Sequence, residues 1–158
     1  MVKKAAAALF FAVFFVFNVE ATMVSFFIIE TGIPSEGGRR THSMQWENTL
    51  LDVFFDAGYI VSNAATLRLD SRPSGEMQKV YESDIAEARS TGANYFIIAQ
   101  LDYSSGSLSP QAITLVMFST NPNKKLYERQ IAGKTYRSTK EEVDELTIIA
   151  RGLIPYIN

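Results

Sequence analysis

The residues best placed for chemistry in this chain fall in one short polar stretch, Gly37-Gly38-Arg39-Arg40-Thr41-His42-Ser43. It lies between an apolar run and the first stretch of helical periodicity, where free backbone N–H groups and the helix dipole favour an anion. Arg39 and Arg40 can each grip a phosphate or carboxylate through two parallel hydrogen bonds. With Gly38 and His42 they form the candidate ligand-binding set. A nucleotide-binding P-loop needs Gly-Lys-Ser/Thr at its end; here Gly37 is followed by Gly38 and Arg39, so that motif fails. The plainer account of the same stretch is a solvated surface loop.

A second constellation is a pair of carboxylates. Glu30 ends the first apolar run, and Glu47 falls among the apolar residues of the following helix rather than on its polar side. Two carboxylates beside one cleft can serve as acid and base in glycan cleavage. Against this, Glu47 lies in the first helical turns, where the dipole stabilises negative charge and Arg39 or Arg40 can pair with it. Asp52 and Asp56 lie one turn apart on the polar face. Glu141, Glu142, Asp144 and Glu145 open the last helix, where acidic residues complement the dipole without further explanation. His42 is the single histidine, with no H-x-x-x-H spacing for a metal, and no G-x-S-x-G elbow accompanies the serines. Cysteine is absent, which removes disulfides, thiol nucleophiles, thiolate ligands and lipidation at cysteine. No cofactor or metal is expected.

The compartment is read from the amino terminus. Lys3 and Lys4 precede an uncharged run from Ala5 to Phe17, and Val19-Glu20-Ala21 offers small or aliphatic residues at the processing positions. The run is shorter than the ~20 residues that cross a bilayer. The reading is a secretory signal over residues 1–21, with an uncleaved anchor as the alternative and no membrane span after removal. Without Lys3, Lys4 and Glu20 the chain keeps thirteen basic and sixteen acidic residues, net −3. That balance does not suit a nucleic-acid partner, which calls for a basic face.

Residues 22–158 then read as a single α/β domain. Val24–Thr31 is a buried strand closed by Gly32 and Pro34. From Met44 the period turns helical, with Trp46, Leu50, Leu51, Phe54 and Phe55 on one side, Gln45, Asn48, Thr49, Asp52 and Asp56 on the other, Ser43 as N-cap and Gly58 as stop. Trp46 belongs to the core rather than to a sugar platform. Tyr59–Leu69 reads as a strand fraying into a loop. Gly75–Gly92 is helical, either in one piece or in two with Asp84 and Glu87 capping the second. Tyr95–Leu101 is the most apolar strand and the central one. Ile113–Thr120 and Leu126–Ile131 flank Asn121, Pro122 and Asn123 as a hairpin. Ser138 and Glu141 form a capping box before a helix bearing Val143, Leu146, Ile149, Ala150, Leu153 and Ile157. The order is β-α-β-α-β-β-β-α, with a mixed sheet.

That order, the glycine before the central strand (Thr91-Gly92-Ala93-Asn94-Tyr95-Phe96-Ile97-Ile98-Ala99-Gln100), the hairpin and the closing helix resemble the amino-terminal domain of TolB. They are also similar to periplasmic domains of the curli-secretion lipoprotein CsgG and of the lipoprotein activators of penicillin-binding proteins. The likeness spans roughly Ser25 to Ile157 and is one of pattern. It implies a periplasmic or secreted, non-catalytic module that binds an envelope protein or cell-wall component. Two departures stand out: no lipidated cysteine follows the signal, and no residues are left for a propeller domain. A small envelope hydrolase using Glu30 and Glu47 is the alternative, and an anion receptor at Gly37 to Ser43 is the third reading. Amino-terminal sequencing of the exported protein should begin at Thr22; retention of Lys3 and Lys4 would show that the leader is not removed.

Overall fold

A computed structural model of the chain describes residues 21–32, 41–70, 77–103, 107 and 109–157. Residues 1–20 of the expected leader, the Gly37–Arg40 part of the polar stretch, and Gly75 lie outside the described residues. Six strands form one mixed sheet: β1 (Met23–Thr31), β2 (Ile60–Asn63), β3 (Leu67–Leu69), β4 (Tyr95–Asp102), β5 (Ala112–Thr120) and β6 (Asn123–Ala132). Three helices accompany it, α1 (Thr41–Asp56), α2 (Met77–Ser90) and α3 (Thr139–Arg151), and a short 3-10 turn follows at Ile154–Tyr156. The strand order is β2-β1-β4-β5-β6, with β3 also on β1. The α/β class and the mixed sheet are those expected from the sequence, and the element order differs from the expected β-α-β-α-β-β-β-α in one place, where the second strand is divided into β2 and β3.

β1 and β4 form the centre because both are apolar on both faces. They pair in parallel from Val24 opposite Tyr95 to Thr31 opposite Asp102. Alternate side chains of each strand enter different cores. Phe26, Ile28, Ile97, Ala99 and Leu101 pack with Trp46, Leu50, Phe54, Leu146 and Leu153 under α1 and α3. Phe27, Ile29, Phe96 and Ile98 pack with Ile85 and Ala88 under α2. Right-handed crossovers account for this two-sided cover. β1 connects through α1 to β2 and β3 on one flank, and β4 lies on the other flank after α2.

Local differences from the sequence reading have physical causes. α1 begins at Thr41, so Ser43 is a buried residue of its first turn and not its cap. Phe55 is 68 % exposed whereas Thr49 is buried. Phe55 lies nine residues, about two and a half turns, beyond Trp46 and therefore on the opposite side of the helix; Thr49 lies less than a turn from it on the core side. Phe54 carries the packing, edge-on to Phe26 with centroids 5.2 Å apart. The stretch Tyr59–Leu69 makes two short strands, because Ala64–Thr66 leave the ladder after the Ala64 N–H bonds Phe26 O at 2.8 Å. α2 is one helix, and Asp84 sits inside it, where burial and then the neighbouring Glu87 charge push its carboxyl up. Gly92 takes φ +94, the left-handed conformation that ends α2 before β4. The hairpin is tighter than expected: β6 starts at Asn123, and a register shift between Met117 and Phe118 leaves Leu126 as the extra residue. At α3, Ser138 accepts from the Glu141 N–H at 3.2 Å, as the capping box requires, while Glu141 Oε2 accepts from Arg137 N at 2.9 Å.

Ile97 is fully buried on the central strand. Ile97→Ala should destabilise the fold by roughly 2–5 kcal/mol in a denaturant titration, through the cavity it leaves. A loss below about 1 kcal/mol would mean that the core does not rest on β4.

Candidate functional site

In a parallel sheet wound in both directions, ligand crevices form beyond the carboxyl ends of the strands where the winding reverses. Here that point lies between β1 and β4, and the polar side chains of the domain gather around it. Glu30 occupies the penultimate position of β1, on the α1 side, and is completely buried. Register places it opposite Arg68 of β3, whose Nε donates to Glu30 Oε2 at 2.7 Å. One residue on, Thr31 Oγ1 donates to Asp102 Oδ1 at 3.2 Å across the other face, tying the ends of β1 and β4 together. Tyr103, directly after β4, is buried on the α1 side. Its phenol is pushed far up, first by burial and then by the charges of Glu30 and Glu142, against the opposing pull of Arg68. It therefore stays a neutral hydroxyl.

A second polar knot joins α1 to α3. His42 Nδ1 lies 2.5 Å from Glu142 Oε1, and both side chains are largely covered. With its amide nitrogen turned toward the carboxylate, Gln45 donates to Glu142 Oε2 at 2.5 Å and Oε1 at 2.9 Å. Glu142 is thus a buried charge held from two positions one turn apart on the neighbouring helix, which is what a carboxylate removed from water needs. Glu47, further along α1, accepts from Asn63 Nδ2 at the end of β2. Between α1 and the β2–β3 segment, Ser43, Met44, Glu47, Ala65, Thr66 and Arg68 line an open cleft of about 480 Å³.

Of the sequence-derived ligand set, Gly38, Arg39 and Arg40 lie outside the described residues, and His42 is engaged by Glu142. Of the candidate hydrolytic pair, Glu30 is sealed on Arg68 and Glu47 is bonded to Asn63; Glu47 and Arg68 share the cleft, but Glu30 does not line it. Glu142 corrects its sequence reading as a residue that merely complements the helix dipole. Its signal was present: Glu142 precedes Leu146, Ala150 and Leu153 at helical spacing, on the buried stripe of α3. Arg68, Tyr103 and Asp102 carried no such signal, since their role depends on which strands become neighbours. Among the described residues, no group of three or more His, Cys, Asp or Glu is arranged to hold a metal ion, and no helix is long and apolar enough to cross a membrane. Glu30 Oε1, Gln100 Nε2 and the Tyr103 hydroxyl are buried without a hydrogen-bond partner.

The chain is similar to several solved structures. A PelC dodecamer from Paraburkholderia phytofirmans matches with 15% identity over 86% of this chain and 87% of that one, at a TM-score of 0.49. TolB from Acinetobacter baumannii matches with 7% identity over 85% of this chain and 28% of its own, at 0.46. The LpoB C-terminal domain from Salmonella enterica matches with 13% identity over 75% and 87%, at 0.43. TolB, whose amino-terminal domain the sequence resembles, is thus among the structures found. No curated protein matches the chain. A family model described as "Uncharacterised protein" matches residues 34–157, most of the chain, and the chain belongs to that family.

Proposed function

We propose that the chain is a non-catalytic, extracytoplasmic binding module of the cell envelope that acts by holding an envelope protein or cell-wall component. The observation that carries this reading is the state of Glu30. A general acid or nucleophile must reach the substrate, and Glu30 is fully covered, with its charge held by Arg68. Glu47 faces the cleft alone, and the other buried carboxylate, Glu142, joins two helices. The charged residues at the carboxyl ends of the strands serve to fix the frame. The leader over residues 1–21 supports export, and TolB and a lipoprotein from Neisseria meningitidis are among the structures to which the chain is similar.

Substituting each carboxylate separates this reading from the hydrolytic one. Glu30→Gln should lower stability by about 1–3 kcal/mol, because it removes the charge partner of Arg68. The loss stays below that of a fully sealed pair because the Arg68 side chain is 33 % exposed and can turn to water. Glu47 is only partly buried and Gln keeps an oxygen that can accept from Asn63, so Glu47→Gln should change stability by about 0.5 kcal/mol or less. Cross-linking in intact cells should recover the same envelope partner with the unaltered chain and with Glu47→Gln. Hydrolysis of peptidoglycan fragments that disappears in Glu47→Gln would instead establish an enzyme.

A further inference from the structure

Two exposed apolar side chains, Ile148 and Tyr156, lie away from this crevice, beside an edge of the sheet. Among the described residues β6 pairs only with β5, so one side of this ten-residue strand has no backbone partner among them. Beside that edge, Tyr127 and Arg129 of β6, Glu141, Asp144, Glu145, Ile148 and Ile149 of α3, and Tyr156 border a groove of about 600 Å³. Its apolar end is built from Ile148, 72 % exposed, and Tyr156, 42 % exposed and tilted against the Tyr127 ring at 4.8 Å. The other end is acidic. Glu141, Asp144 and Glu145 line it there with Arg129, and Lys134 and Lys140 reach the acids from outside the lining.

Two of these acids already carry lysines: Lys140 on Asp144 at 2.7 Å and Lys134 on Glu145 at 2.7 and 2.8 Å. Both lysines are well exposed, and exposed pairs of this kind are weak, so an incoming cation can replace them. Of the lysines of β6 itself, Lys125 pairs with Glu128 near the hairpin end of the strand and does not border the groove.

We infer that this groove docks an extended segment of a partner protein, added as a further strand on β6, with apolar side chains on Ile148 and Tyr156 and a lysine or arginine on the Glu141–Glu145 acids. Main-chain pairing to the edge supplies affinity, and the graded groove, acidic at one end and aromatic at the other, selects orientation and sequence. The inference rests on the binding-module reading above and names the surface and chemistry of the contact.

The test uses the full chain and three blocked peptides: Thr-Lys-Thr-Val-Thr-Leu-Thr, the same peptide with Glu for Lys, and the first with alternate backbone nitrogens methylated. In an NMR titration, the lysine peptide should shift the amides of β6 and the groove side of α3, and the methylated peptide should not bind. The glutamate peptide and the variant Ile148→Arg should each weaken binding by roughly tenfold or more. Ile148 is exposed, so thermal melting of Ile148→Arg should match the unaltered chain and exclude a folding artefact. Equal binding of the lysine and glutamate peptides, shifts confined to other elements, or no peptide binding at all would overturn the proposal. So would sedimentation of the unaltered chain as a dimer that Ile148→Arg dissociates, since the occupant would then be a second copy. Cross-linking separates the two levels: a partner retained by Ile148→Arg leaves the binding module standing and removes the groove, whereas no partner for either chain removes the module itself.

Discussion

The parallel pairing of β1 with β4 is the constraint from which the rest of the molecule follows. It joins residues about seventy positions apart, from Val24 with Tyr95 to Thr31 with Asp102. A parallel pair cannot be closed by a tight turn, so the intervening chain must cross over the sheet. The right-handedness of that crossing sends α1 and α2 to opposite faces. Each face of the two strands must therefore be apolar, and two separate cores form, one under α1 and α3 and one under α2. The antiparallel β5 and β6 extend the sheet on the far side of β4, and α3 returns to complete the first core.

The same pairing decides where the polar residues end up. Neighbouring strands of equal direction finish together, so Glu30, Thr31, Asp102 and Tyr103 collect at one end although they are distant in sequence. Three of the four are held by contacts specific to that geometry: Arg68 reaches Glu30 because β3 runs beside β1, and Thr31 reaches Asp102 because β4 does. The His42–Glu142–Gln45 knot is the helical counterpart, a buried carboxylate made tolerable by two neighbours on α1.

What the sequence conveyed was whatever depends on local periodicity. β1, β4 and α3 could be read because an apolar strand covered on both sides and an amphipathic helix with a capping box each carry their own pattern. Phe55 was misread because five large apolar residues in ten do not specify which arc of the helix faces inward, and the arc was set by Trp46, Leu50 and Phe54. The break at Ala64–Thr66 could not be seen, since alanine and threonine disrupt no strand by themselves; the shape of β1 imposes it. At the site, Glu30 and Glu47 were recognised as unusual, yet their fates were fixed by Arg68 and Asn63, residues brought near only by strand order. Glu142 was the one buried partner whose helical spacing already marked it.

The two margins of the sheet are unlike each other. β6 offers one continuous strand of ten residues with a bulge at Leu126, whereas the opposite margin is divided into four residues of β2 and three of β3 by a segment that leaves the ladder. A strand laid on β6 therefore finds no equivalent margin on a neighbouring molecule from which to continue. Open-ended stacking of sheets into fibres requires both margins to be competent, and here one is interrupted. The margin interrupted between β2 and β3 is a poorer template for a continuing sheet than an unbroken strand would be.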